Sequence, residues 1–217
     1  MTSQYEKEAL RYAARGIPVF PLAAGTKVPT KNSHGHLDAS KNEFVLRVYW
    51  EDEPRGNVGM PTGVKSGLII IDEDPRKGGD ASSLNLPPTL TVSTPQGGRH
   101  FYFKHPGAGL KVPCDTTGKL GPGIDVKGEG GYAVLPPSRL SAGGKYAWVN
   151  AAVPPADIPP HLWPTLVVKD DPEHHNGVHP TPAEDAEPIR DGQRNTTLAS
   201  LAGTMRKRGT LANCWPC

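Results

Sequence analysis

Residues 67–74 read Gly-Leu-Ile-Ile-Ile-Asp-Glu-Asp, four large apolar side chains running straight into three acids. The apolar run, Leu68 to Ile71, is expected as a strand buried in a sheet. Three successive carboxylates repel one another and resist burial, so the strand must end where something answers their charge. Side chains alternate along a strand, which sends Asp72 and Asp74 to one face and Glu73 to the other. Two carboxylates a few ångströms apart on one face need a proton or a cation between them. Hard divalent cations such as Mg²⁺ take such oxygens together with substrate phosphates. A solvated strand end or a turn is the plain alternative for so short a signal.

Two further stretches bear on that choice. In Ser93-Thr94-Pro95-Gln96-Gly97-Gly98-Arg99-His100-Phe101-Tyr102-Phe103, a Gly-Gly turn precedes a basic pair and an alternating strand. Glycines let backbone N–H groups approach an anion, and a guanidinium matches phosphate oxygens. Here His100 and Tyr102 share one face and leave Phe101 and Phe103 to the core. An ordinary hairpin with an exposed His and Arg is the competing reading. In Gly123-Ile124-Asp125-Val126-Lys127, a third carboxylate sits among glycines, with Lys127 on its face. Alone it is a turn residue. Converging on the first pair, it would complete a cage for two cations, which can clamp the attacking and leaving oxygens of a phosphoryl transfer.

Around these motifs the chain reads as α+β. Residues 5–16 show Ala9, Leu10, Ala13 and Ala14 on one helical face with Gly16 as the stop. Ile17–Leu22 is a short strand whose Pro18 and Pro21 belong at a sheet edge. A loop follows, carrying Lys27 and Lys31. Ser40 and Glu43 form a capping box for a second helix, with Phe44, Val45, Val48 and Tyr49 at helical spacing. Residues 57–67 read as a glycine-rich turn leading into the acid-ended strand. Strands are expected again within 89–105, 123–138 and 145–150. Helices come early, strands cluster later and no strand–helix alternation appears, so a mixed or antiparallel sheet fits.

Composition limits the alternatives. The 217 residues hold 24 Lys plus Arg against 22 Asp plus Glu, which argues against a uniformly basic surface but allows a local basic groove. The 25 glycines and 24 prolines, roughly twice average usage, point to many turns and a linker. Three cysteines without a disulfide-like framework, no apolar leader and no membrane-length apolar run suggest a reducing cytoplasm. Residues 1–168 are expected as one domain, with Leu162 and Trp163 tucked against it. Residues 169–188 read as a flexible linker, and 189–217 as a helical segment with Leu198, Leu201, Ala202 and Met205 on one face. His174, His175 and His179 fall in the linker and read as solvated. Cys214 and Cys217 lack the second pair of a zinc ribbon.

In their order, these motifs resemble the N-terminal primase–polymerase domain of the archaeo-eukaryotic primase superfamily, in the form carried by phages, plasmids and integrated elements. The resemblance covers roughly residues 5–165. It runs from the opening helix and Arg15-Gly-Ile-Pro-Val-Phe-Pro-Leu-Ala-Ala-Gly-Thr-Lys-Val-Pro29 through Asn57-Val-Gly59, Thr62-Gly63 and Ser66-Gly67 to the acid strand, the His100 motif and Asp125. Pro136-Pro137-Ser138 closes it. The implied fold is a primase-like α+β domain with an RRM-like catalytic core and flanking helices. The implied activity is that of a DNA primase and polymerase.

By the same resemblance, Asp72, Asp74 and Asp125 would ligand two Mg²⁺ or Mn²⁺ ions, and His100 would bind the phosphates of the incoming nucleotide. Arg99, Gly97, Gly98, Ser93, Thr94 and Lys127 would assist in nucleotide binding. Many relatives carry Glu where Asp74 stands. Implied partners are a single-stranded DNA template, dNTPs or NTPs, and a separate replicative helicase, since no Walker-type motif occurs. The expected setting is the cytoplasm of a bacterial or phage-infected cell. A metal-dependent nuclease and a non-catalytic nucleic-acid-binding module of a replication initiator are the other readings.

Overall fold

A computed structural model of the protein describes residues 2–170. Helix α1 (Gln4–Ala14) starts where the Ser3 hydroxyl accepts the Glu6 N–H at 3.1 Å, and it buries Ala9 and Tyr12. Gly16, at φ +82°, turns the chain out of the helix. Strand β1 (Phe20–Leu22) has a single neighbour in its sheet, the edge position expected from its prolines.

Helix α2 (Glu43–Asp52) departs from expectation in two ways. Its cap is Asn42, whose side chain accepts the N–H groups of Phe44 and Val45 at 2.9 and 3.3 Å. Ser40 cannot serve, because its backbone N–H and carbonyl are both bonded to Val19. The buried face is Leu46 and Trp50, and Phe44 is exposed.

Strand β2 (Asn57–Pro61) replaces the expected glycine-rich turn, with all five residues buried between neighbouring strands. It is followed by β3 (Leu68–Glu73), β4 (Thr91–Ser93), β5 (Arg99–Lys104), β6 (Leu110–Lys111), β7 (Ile124–Lys127), β8 (Tyr132–Leu135) and β9 (Ala147–Trp148). A short helix α3 (Trp163–Leu166) and β10 (Val168–Lys169) close the described chain. All paired strands are antiparallel, in a three-stranded sheet β1-β2-β8, a five-stranded sheet β7-β3-β5-β4-β9 and a β6/β10 pair. The fold is α+β with antiparallel sheets and few helices. Lys169, expected at the start of the linker, ends β10. The rest of the linker from residue 171, the expected C-terminal helix, His174, His175, His179, Cys214 and Cys217 lie outside the described residues.

The five-stranded sheet is buried on both faces, so its side chains alternate between two cores. Ile70, Val92 and Tyr102 join Ala9, Tyr12, Leu46, Trp50, Val58 and Met60 on one side. Ile69, Ile71, Phe103, Ile124 and Val126 join Ala81, Leu84, Ile158, Leu162 and Leu166 on the other. Tyr102 therefore lies in a core, just as Phe103 does. Leu162 is buried as expected, whereas Trp163 is 39 % exposed. Each isoleucine of β3 contributes about 1.5–3 kcal/mol by burial. The acids thus hang from the end of a strand whose register is tightly fixed. Among the described residues no helix is long and apolar enough to cross a membrane.

Candidate active site

Because β3 is central, its end is flanked on both sides. Asp72 lies directly opposite His100 on β5 and directly opposite Asp125 on β7. In antiparallel pairs such residues hold their Cβ atoms about 4.5–5.5 Å apart. Asp72, His100, Asp125 and Lys127 therefore share one face of the sheet. His100 Nε2 is 3.3 Å from Asp72 Oδ1, and Lys127 Nζ is 3.0 Å from Asp72 Oδ2. Lys77 Nζ reaches Asp125 Oδ2 at 3.8 Å.

The carboxylate repulsion raised by the sequence is thus answered by basic side chains. Burial alone would push the Asp72 carboxyl up, but His100 and Lys127 together outweigh it and hold it well below the usual carboxylate range. Asp74 leaves the strand and caps the 3-10 turn Pro75–Lys77. The Arg76 guanidinium holds it at 3.0 and 2.8 Å, one bond to each oxygen, and keeps its carboxyl below the usual range.

The other expected nucleotide-binding residues divide. Lys127 joins the carboxylates. Arg99 and Ser93 pair with each other on the opposite face of the sheet, since consecutive strand residues point opposite ways. There Arg99 grips Glu73, with Nε–Oε2 at 2.7 Å and Nη2–Oε1 at 3.0 Å, and lies 5.1 Å from the centre of the Phe101 ring. Glu73 is 4 % exposed and also accepts the Ala81 N–H at 2.9 Å. It faces away from the aspartates, as the alternation requires. Arg99 and Ser93, expected to assist in nucleotide binding, are thus not brought together with Asp72, Asp125 and His100. Gly97 and Gly98 donate their N–H groups to Thr94, to its carbonyl at 3.2 Å and its hydroxyl at 3.1 Å. Both amides are thereby engaged within the turn rather than offered to an anion, and the Thr94 hydroxyl is used as an acceptor.

Three residues at the site escaped the sequence reading. Arg76 and Lys77 follow the acids after Pro75, and basic residues so placed were the signal. Tyr146 comes from the hairpin preceding β9 and sets its ring centre 5.8 Å from that of His100. Burial, and then the Asp72 charge, pushes its phenol up, so it stays protonated. No local pattern marks it. Beneath lie two buried polar atoms without a hydrogen-bond partner, His100 Nδ1 and the Tyr102 hydroxyl. Such atoms are rare in folded proteins.

As a donor set, Asp72 and Asp125 fit a hard divalent ion, since Mg²⁺ is commonly held by one or two carboxylates plus substrate phosphates. No group of three or more His, Cys, Asp or Glu side chains is arranged to hold a metal among the described residues. Asp74, expected to pair with Asp72 as a ligand, is turned to Arg76. The arrangement thus presents two carboxylates, a buried histidine and several cations at one strand end, a combination suited to handling phosphates.

The family model described as bifunctional DNA primase/polymerase, N-terminal, matches residues 9–161. No curated protein matches the chain.

Proposed function

From the chain's membership of the bifunctional DNA primase/polymerase family, shown by that match over most of its length, we propose a template-directed nucleotidyltransferase acting on single-stranded DNA. It would make or extend strands from dNTPs or NTPs in the replication of a phage, plasmid or integrated element. The observation that supports this reading best is the row His100–Asp72–Asp125 across three neighbouring strands.

In the proposed reaction a 3′-hydroxyl oxygen bonds to the α-phosphorus of a triphosphate. The bond from that phosphorus to the pyrophosphate oxygen breaks, pyrophosphate leaves, and the hydroxyl proton passes to solvent water. Asp72 and Asp125 would hold Mg²⁺ or Mn²⁺, two ions if Asp74 exchanges Arg76 for a metal. When bound, the ions neutralise phosphate charge and lower the pKa of the attacking hydroxyl. The chain's own part is placement and charge. Asp72 stays ionised because its pKa is held low. Lys127 and Lys77, now paired with the carboxylates, are cations available to an arriving triphosphate. His100 holds one oxygen of Asp72 through Nε2, which leaves Nδ1 for a further partner.

The test is incubation with a single-stranded template, Mg²⁺ or Mn²⁺, and labelled dNTPs or NTPs. New strands are expected, and Asp72→Asn should lower their yield by about 10²–10³-fold, the usual effect of removing one electrostatic stabiliser. Its melting temperature should fall by only a few degrees, since the pairs with His100 and Lys127 are lost, and the assay is run well below it. Template shortening would indicate a nuclease, and binding without synthesis a non-catalytic module.

A further inference from the structure

We propose that the hairpin of residues 138–146 and the adjoining loop 23–28 form a docking strip for the phosphate backbone of a single-stranded nucleic acid. This rests on the nucleotidyltransferase reading and extends it from the reacting atoms to the polymer that carries them.

Arg139 and Lys145 stand opposite each other across the hairpin. The neighbouring pair, Ser138 and Tyr146, is buried, so alternation turns Arg139 and Lys145 to solvent. Like charges set directly opposite destabilise an antiparallel pair. Elsewhere the chain relieves such charge with acids, pairing Arg47 with Glu6 and Glu43, Arg76 with Asp74, and Lys104 with Asp157. Among the described residues no carboxylate forms an ion pair with Arg139, Lys145 or the exposed Lys27.

These cations sit on a fixed support. Asn57, fully buried, donates its amide to the Thr26 carbonyl at 2.8 Å and to the Arg139 carbonyl at 2.7 Å. Its side-chain oxygen accepts the Arg139 N–H at 3.0 Å. The Ser141 N–H adds a bond to the Gly25 carbonyl at 2.8 Å. The loop and the hairpin are thereby joined into one surface. The same hairpin carries Tyr146 on its buried face, with its ring centre 5.8 Å from that of His100, so the strip and the site share one element. The chain's net charge of +2 supplies little attraction for a polyanion, which makes a local strip the place for it.

The partner's chemistry is a row of phosphates, and its signature is salt dependence. Each phosphate neutralised on a single strand contributes about 0.7 to the slope of log K against log salt. Three cations contribute about 2, or roughly 16-fold in affinity over a fourfold rise in salt. Binding of a fluorescent mixed-sequence oligonucleotide of about 20 nucleotides should be followed by anisotropy from 50 to 200 mM salt, for the parent and for Lys27→Glu/Arg139→Glu/Lys145→Glu.

The variant is expected to bind more weakly and to show the shallower slope by that amount. The milder Arg139→Gln/Lys145→Gln should show part of the loss at a melting temperature no lower than the parent's. A folded variant with the parent's affinity and slope would overturn the proposal, as would a parent that does not bind. So would equal displacement of the oligonucleotide by poly-glutamate of matched charge, which would assign the strip to acidic protein segments. A parent that binds with the expected slope yet makes no strands would leave the strip standing and remove the catalytic reading. Strand synthesis by a parent whose variant binds equally well would do the reverse.

Discussion

At the scale of single residues, the three consecutive acids have three different partners. Asp72 takes Lys127 and His100, Glu73 takes Arg99, and Asp74 takes Arg76. Glu73 and Arg99 are the immediate neighbours of Asp72 and His100 and face each other in the same ladder, on the opposite side of the sheet. A bidentate pair there fixes the separation of the two strands at the level of the site. Arg99 is half-exposed and its pairing is weakened by solvent, so Glu73→Gln should cost about 1–2 kcal/mol. That corresponds to a fall of about 2–8 °C in melting temperature for a chain of this size. Synthesis at saturating triphosphate should fall with it, and Glu73→Asp should recover part of the activity. A variant that melts and synthesises like the parent would show that the pair fixes nothing.

At the scale of elements, the turn between β4 and β5 separates two uses of glycine. Gly97 has φ +83° with open space where a side chain would be, so Gly97→Ala pays only the left-handed strain of about 1–2 kcal/mol. Gly98 is crowded instead, because a β-carbon there would lie 2.1 Å from the Glu73 carbonyl oxygen. Gly98→Ala must push the turn away from β3 and carry His100 off Asp72. It should therefore weaken triphosphate use, read as a raised KM, far more than Gly97→Ala does. Equal KM values would place the turn outside the site. The strands β3, β5 and β7 were legible because alternation is written locally in each. Strand β2 was not, since its Gly and Pro read as a turn until β1 and β8 supply ladder partners. The cap of α2 was misplaced for the same kind of reason: Ser40 with Glu43 fits a capping box locally, and the distant bonds from Ser40 to Val19 leave the role to Asn42. At the site, each motif was visible, but only the register of three strands sets Asp125 and His100 beside Asp72. Tyr146, Arg76 and Lys77 were missed because a hairpin and a 3-10 turn bring them in.

At the scale of the whole described domain, the five-stranded sheet divides two cores, and the carboxylates belong to only one side of it. The other side is closed by residues from Ile158 to Leu166, which pack on Ile69, Ile71 and Phe103. Stability and chemistry can therefore be separated by mutation. Leu162 is 6 % exposed, so Leu162→Ala should open a cavity behind β3 and cost about 2–5 kcal/mol. At about 2–4 °C per kcal/mol for a chain of this size, the melting temperature should drop by about 4–20 °C. Trp163, the more conspicuous residue in the sequence, is half out in solvent and gives one N–H bond to the Ile158 carbonyl at 3.2 Å. Trp163→Ala should cost about 1 kcal/mol. Strand synthesis measured well below both melting temperatures should stay near the parent's in each variant, because neither change touches the face that carries Asp72. The opposite order of melting temperatures would make Trp163 the anchor of this segment. A loss of synthesis in folded Leu162→Ala would mean that the sheet transmits changes in one core to the other.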